Sequence, residues 1–244
     1  MNQPVQDLGT LRKSERIGGL VYLPMFLFGA PFLAYLIVTR FSGMIPNEEM
    51  RDPINLLIYN GLNAVALCLI FRHYLAEQFR RIQSRGWHIF GDLLLSFLVF
   101  YGVGILSTAA RTLLQELFQT EYQNANQDAL LGVLEASPAI LILSACVLAP
   151  IAEELLFRGL IFCGLYRKSR ILAYALSILA FSFAHVYGSM FRQPIPATLV
   201  TMTAYLPHSF ALAWSYARSG SIWSSVFLHA SLNALSLLLI HTMT

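Results

Sequence analysis

The sequence predicts an all-α protein: a polytopic transmembrane helical bundle of seven spans, with eight as the alternative. Three observations carry this. Hydrophobic residues make up 57% of the 244 residues and charged residues 12%, where a soluble domain has about a quarter charged. The mean hydropathy is +0.61. The charges are gathered into short polar stretches between apolar segments, each long enough for a tilted membrane helix. A water-soluble domain is excluded. The net charge of +3 comes from basic residues that flank the apolar segments, where they set orientation, so no nucleic-acid partner is expected. Cys68, Cys146 and Cys163 are odd in number and lie in apolar runs. They read as packing residues and carry no disulfide framework.

The segments follow in order. A polar stretch with Arg12, Lys13 and Arg16 precedes an apolar run at 18–39, too long for a signal-peptide core and read as an uncleaved first span. Further spans are expected at 53–75, 88–110, 137–165, 171–187, 195–217 and 222–243. The run at 137–165 is overlong and contains Pro150, which predicts a kink or a short re-entrant piece. Arg72, Arg80, Arg81 and Arg85 follow span two, and Arg167, Lys168 and Arg170 follow span four. With the N-terminal basic residues they define one side, expected to be cytoplasmic. The connection at 111–136 holds Glu116, Glu121, Asp128 and Glu135 against Arg111 alone and belongs on the other side. Internal repeats and a GxxxG helix-dimer face are both missing from the sequence. The expectation is one compact membrane domain, with motif-free helices in 1–135 and chemistry-bearing helices in 136–244.

Ionisable residues inside apolar spans are costly, about 2.5–3.5 kcal/mol each on the insertion scale, and so mark functional candidates. Span four contains Glu153, Glu154 and Arg158. Glu154 and Arg158 stand at i and i+4 on one helix face, the spacing of a structural ion pair. Glu153 points about 100° away and has no local partner. His185 lies in span five, four residues after Phe181, and His229 in span seven, four residues before Asn233. At about 1.5 Å of rise per residue, Glu153, His185, His229 and Asn233 lie roughly 17–22 Å from the nearest basic flank. Four polar side chains from three helices thus share one layer. His208, after Pro207 in span six, lies at a similar depth and reads as a packing or kink-capping residue that could line the same space. Asp92 is expected at the interface, and His73, His88 and His241 lie near span ends.

A carboxylate, two histidines and an amide in a protected layer suit water-driven acyl hydrolysis: a general base, a group that orients or shares the proton, and donors for an oxyanion. Other intramembrane chemistries lack their motifs. There is no HExxH zinc helix, Arg218-Ser219-Gly220-Ser221 has the wrong order for a serine loop, and Gly91-Asp92 follows Ile89-Phe90 rather than a GxGD pattern.

Glu153-Glu154-x-x-x-Arg158, Phe181-x-x-x-His185 and His229-x-x-x-Asn233, in this order, resemble the three signature motifs of the CAAX prenyl endopeptidase and bacteriocin-processing (CPBP, Abi-type) family. The likeness covers roughly residues 140–240 and extends to the basic, glycine-containing turn Arg218-Ser219-Gly220-Ser221-Ile222-Trp223. Where family members commonly carry glycine after Phe210, this chain has Ala213 and Ala217. The resemblance implies an all-helical intramembrane endopeptidase in which Glu153 and His185 activate water while His229 and Asn233 stabilise the oxyanion. Glu154 and Arg158 complete its motif residues.

The expected protein is a multi-pass enzyme of the cell membrane, acting on a peptide or lipidated protein substrate at the lipid bilayer. A glutamate-activated water without cofactor is expected, with a catalytic zinc held by glutamate and histidine as the alternative. Two non-protease readings stand beside it. An ion or proton pathway would carry polar residues on toward both faces. An immunity or interaction protein would keep the motifs for structure alone, although a pure packing role would accept leucine in place of Asn233.

Overall fold

The computed structural model describes residues 7–243, apart from the side chains of Arg85, His241 and Met243. Every regular element among them is helical. The first span is α1 (Lys13–Arg40), and α2 (Arg51–Ile70) follows. The short α3 (Arg72–Arg85) leads into the long α4 (His88–Phe118), and then α5 (Ala125–Ala136). The motif-bearing half comprises α6 (Pro138–Tyr166), α7 (Arg170–Val186), α8 (Ile195–Thr203), α9 (Leu206–Ser219) and α10 (Ile222–Met243). Among the described residues, six helical stretches are long and apolar enough to cross a membrane.

The sixth expected span, 195–217, is broken into α8 and α9. Pro207 lacks an N–H and its ring crowds the preceding turn, so one continuous helix is disfavoured there. The freed polar groups find partners on neighbouring helices. The Ser107 hydroxyl of α4 donates to the Thr203 carbonyl at 2.6 Å, which makes a helix break tolerable inside an apolar environment.

The polar connections are also more ordered than the sequence suggested. The basic stretch after span two is helix α3. Span three runs on through Phe118, because residues 111–118 are good helix formers, and stops where Gln119 adopts φ +49°. Asn124 caps α5, its side-chain oxygen accepting from Gln127 N at 3.2 Å. Of the expected acidic loop only 119–124 is non-helical.

Pro150 does not produce a re-entrant piece. α6 stays helical and takes up the imino acid with a widened π-type turn at Ser144–Leu148, followed by a second at Leu155–Phe162. In that second turn all residues but Ile161 are buried, because α6 is the central helix and packs against α1, α2, α7, α9 and α10. Gly19 lets α1 approach: a Cβ there would stand 2.6 Å from the Phe71 ring and 3.1 Å from Leu160.

The basic end of the bundle is closed by residues that looked merely polar in the sequence. Leu8 and Leu11 are buried. The Leu8 carbonyl accepts from Gln78 Nε2 at 2.9 Å and from the Tyr216 hydroxyl at 2.6 Å, and Asp7 pairs with Arg81 and Arg167. Buried Glu15 accepts from Tyr74 N at 2.9 Å, satisfying an orphan donor in the first turn of α3 where an anion is favoured. Asp92, expected at the interface, is buried and pairs with Arg218 of α9 at 2.9 Å.

Candidate active site

The two adjacent glutamates of α6 have opposite surroundings, as their separation of about 100° requires. Glu154 turns into the core, where it and Arg158 are fully buried and 3.0 Å apart. The Glu154 Oε1 atom also accepts from His229 Nδ1 at 3.0 Å, and Oε2 accepts from the Ser225 hydroxyl. Arg158 Nη2 donates to the carbonyl and the hydroxyl of Ser209, each at 3.0 Å, and its guanidinium lies 4.5 Å from the Phe181 ring centre. The predicted i,i+4 pair is therefore present, and both oxygens of Glu154 are engaged.

Glu153 has no such cage. Its side chain is 15% exposed, and its Oε2 atom is buried without a hydrogen-bond partner. Two imidazole nitrogens face that oxygen: His185 Nε2 at 3.7 Å and His229 Nε2 at 3.9 Å. The hydrogen-bond partners fix which nitrogens are free. His185 Nδ1 is 2.9 Å from the Phe181 carbonyl, an acceptor only, so Nδ1 carries the hydrogen and a neutral ring presents a lone pair at Nε2. His229 Nδ1 likewise donates to Glu154, leaving Nε2 toward Glu153. A water about 2.8 Å from both Glu153 Oε2 and His185 Nε2 fits their separation.

Asn233 lies one turn beyond His229 on α10, as its spacing predicted. Its Nδ2 donates to the Ala145 carbonyl at 2.7 Å, and the cause lies in α6. Ala149 N donates to Ser144 O, a bond shifted to i+5. In that register Ala145 O would turn to residue 150, a proline with no N–H. The Asn233 amide answers a carbonyl that Pro150 leaves open.

His208 joins the cluster from α9, its ring centre 4.8 Å from that of His229 and stacked 5.9 Å from Phe181. Its Nε2 is buried without a partner. His73 lies on α3 beside Arg72, at 3.3 Å, away from the site. Gly220, with φ +73°, ends α9 and turns the chain into α10. This is the glycine-containing turn picked out in the sequence. Ala213 is fully buried on α9.

Sequence reasoning missed Ser225, Ser209 and Tyr205. Ser225 had a signal, since Ser225, His229 and Asn233 repeat every four residues on one face of α10. Ser209 and Tyr205 come from the broken segment and had none. Among the described residues, no group of three His, Cys, Asp or Glu side chains is arranged to hold a metal ion.

A family model described as "Type II CAAX prenyl endopeptidase Rce1-like" matches residues 135–235. The protein named "Putative membrane peptidase YdiL" of Bacillus subtilis (strain 168) is 29% identical over 224 residues, covering 88% of this chain and 84% of that protein. The UPF0177 protein YxdF of Lactococcus lactis subsp. lactis (strain IL1403) is 30% identical over 87 residues, covering 36% of this chain and 42% of its own length. No solved structure matches the chain. The family match spans the α6, α7 and α10 motifs, whose side chains converge on one space within a bundle of helices long and apolar enough to cross a membrane, and over residues 135–235 the chain is similar to the type II CAAX prenyl endopeptidase family.

Proposed function

We propose that this protein is an intramembrane endopeptidase that hydrolyses a peptide bond of a membrane-associated protein or peptide, with Glu153 as the base that activates water. The observation that carries this is the contrast between two neighbouring carboxylates. Glu154 has both oxygens engaged by Arg158, His229 and Ser225, whereas Glu153 Oε2 is buried, unpartnered and faced by two imidazole nitrogens. A general base needs an available lone pair and a neighbour that orients the water.

In the proposed reaction, water donates toward Glu153 and His185 as its oxygen attacks the scissile carbonyl. Glu153 takes the proton and later delivers it to the departing amine, so the carboxylate is regenerated. Glu154 accepts from His229 Nδ1 and orients the ring so that Nε2 faces the reacting carbonyl, where a proton on Nε2 would stabilise the developing oxyanion. Asn233 has a second amide hydrogen for the same task. Glu154 and Arg158 act through His229 and are positioning residues. The ligand arrangement favours a glutamate-activated water over a zinc site. We further infer that the ends bearing Arg12, Lys13, Arg16 and the 167–170 cluster face the cytoplasm, and that the bilayer is the cell membrane.

The test compares membrane and secreted peptides from cells carrying the wild type or Glu153→Gln, and then purified protein on a peptide so identified. Glu153→Gln should lose at least about 10²-fold in kcat and keep its melting midpoint. Chelator-washed wild type should stay active. Cleavage by Glu153→Gln at the wild-type rate would move the base elsewhere. Activity lost on chelation and restored by zinc would decide for a metalloenzyme.

A further inference from the structure

We propose that Tyr205 is a positioning residue for His185, held in place by Asn124, so that the 119–124 connection sets the geometry of the Glu153–His185 pair. This rests on the assignment of His185 as the water-orienting group.

The His185 imidazole is flanked by two aromatic rings. Phe181, on its own helix, has its ring centre 4.4 Å away with planes at 34°, and Tyr205 has its centre 4.6 Å away, also at 34°. Phe181 is a motif residue one turn back on α7. Tyr205 comes from the break between α8 and α9, so the interruption of the sixth apolar segment delivers an aromatic ring to the reactive layer. The Nδ1 bond to the Phe181 carbonyl fixes one ring atom, and the Tyr205 ring limits how the imidazole tilts about that anchor.

Tyr205 is in turn tied across the bundle. Its hydroxyl donates to Asn124 Oδ1 at 2.9 Å and accepts from Asn126 Nδ2 at 3.4 Å. Asn124 is itself fixed, capping α5 through Gln127 N and donating to the Tyr122 hydroxyl at 3.0 Å. A second tie lies one turn away, where the Thr201 hydroxyl donates to the Gln123 carbonyl at 2.6 Å. A continuous path thus runs from the 119–124 connection through Tyr205 to His185 and Glu153. Misplacing a catalytic group by about 1 Å can cost on the order of 10²-fold in rate. A residue acting this way lowers kcat and leaves KM nearly untouched.

The test uses full-length protein in detergent with two readouts. The first is steady-state cleavage of the peptide identified with Glu153→Gln. Tyr205→Leu and Tyr205→Met, made in parallel in case one fails to fold, should lower kcat by about 10- to 100-fold with KM within about 2-fold. Tyr205→Phe keeps the ring but loses the tie to Asn124, so it should lower kcat by a smaller factor, about 3- to 10-fold; a wild-type rate would leave the 119–124 connection without a role. Asn124→Ser keeps an N-cap oxygen but is too short for the tie, so it should match Tyr205→Phe. The double variant should be no worse than either, as expected for residues in one path. The second readout needs no substrate. The ¹⁵N-histidine signals of His185, assigned with His185→Gln, should report one Nδ1–H tautomer in wild type and Tyr205→Phe, and tautomer exchange in Tyr205→Leu. A raised KM at unchanged kcat would make Tyr205 a substrate contact and overturn the proposal. An unchanged tautomer in Tyr205→Leu would also overturn it. If the wild type cleaves nothing, the peptidase reading fails, and the tautomer signals still decide the role of Tyr205.

Discussion

Arg158→Met tests whether the fully buried Glu154–Arg158 pair holds the motif-bearing helices together. Methionine keeps an unbranched side chain of similar reach and removes the charge. Lost with it are the 3.0 Å ion pair, two 3.0 Å hydrogen bonds to Ser209 and the guanidinium contact with Phe181. What remains is a carboxylate in the core with Ser225 and His229 as its donors. Breaking a buried pair by removing one partner costs about 3–5 kcal/mol, chiefly because the other charge is stranded. For a chain of this size that corresponds to a fall of roughly 6–20 °C in the melting midpoint. Arg158→Met combined with Glu154→Gln removes both charges and should recover part of the loss, with a coupling of about 1 kcal/mol or more. Thermal unfolding of detergent-solubilised protein, followed by tryptophan fluorescence, measures both. A shift under about 2 °C for Arg158→Met, or a double variant that falls by the sum of the two single losses, would refute the reasoning.

Asn233→Ala should lower kcat and also reduce the melting midpoint by several degrees, because its amide serves the Ala145 carbonyl left open by Pro150. A lost buried hydrogen bond costs about 1–3 kcal/mol, and loss of rate at an unchanged midpoint would instead assign Asn233 to the oxyanion alone. Asp7 is held at a pKa of about 2 by hydrogen bonds to Arg81 and Arg167. A depressed carboxylate contributes stability above its unfolded pKa of 3.8 and loses it as pH falls through the folded value. Because Asp7 is half-exposed, Asp7→Asn should lower the midpoint only slightly at neutral pH. That difference should hold down to about pH 4 and vanish toward pH 2, and a difference that grows on acidification would contradict the pairing.

Much of the fold was legible because the membrane imposes it: apolar length and basic flanks located the spanning segments with few errors. The errors have physical causes. Hydropathy does not register that Pro207 breaks an apolar run, so 195–217 read as one span. Leu8 and Leu11 are too few in a polar stretch to signal a buried segment, yet they pack where Gln78 and Tyr216 wait for the Leu8 carbonyl. Within the site, i,i+4 spacing identified the Glu154–Arg158 pair and aligned His229 with Asn233, because both relations lie within one helix. The facing of His185 and His229 toward one oxygen of Glu153 depends on how α6, α7 and α10 pack. Equal depth along three helices was compatible with it but did not require it.

The Glu-Glu pair shows how a local rule carries over to the site. Two adjacent carboxylates on a helix cannot share one set of partners, since their directions differ by about 100°. Once Arg158 claims Glu154, Glu153 must find partners on other helices or remain open to a reactant. In α6 the divergence is reinforced by the backbone. The π-type turn before Pro150 frees the Ala145 carbonyl, which captures Asn233 and draws α10 against α6 one turn from His229. Glu154 grips His229 itself from the other side. With α10 tied at both points, His229 Nε2 has little freedom but to face Glu153. The proline that the sequence marked as a possible interruption therefore helps to align these side chains, and the ion pair that looked merely structural leaves its neighbour as the carboxylate with an unpartnered oxygen.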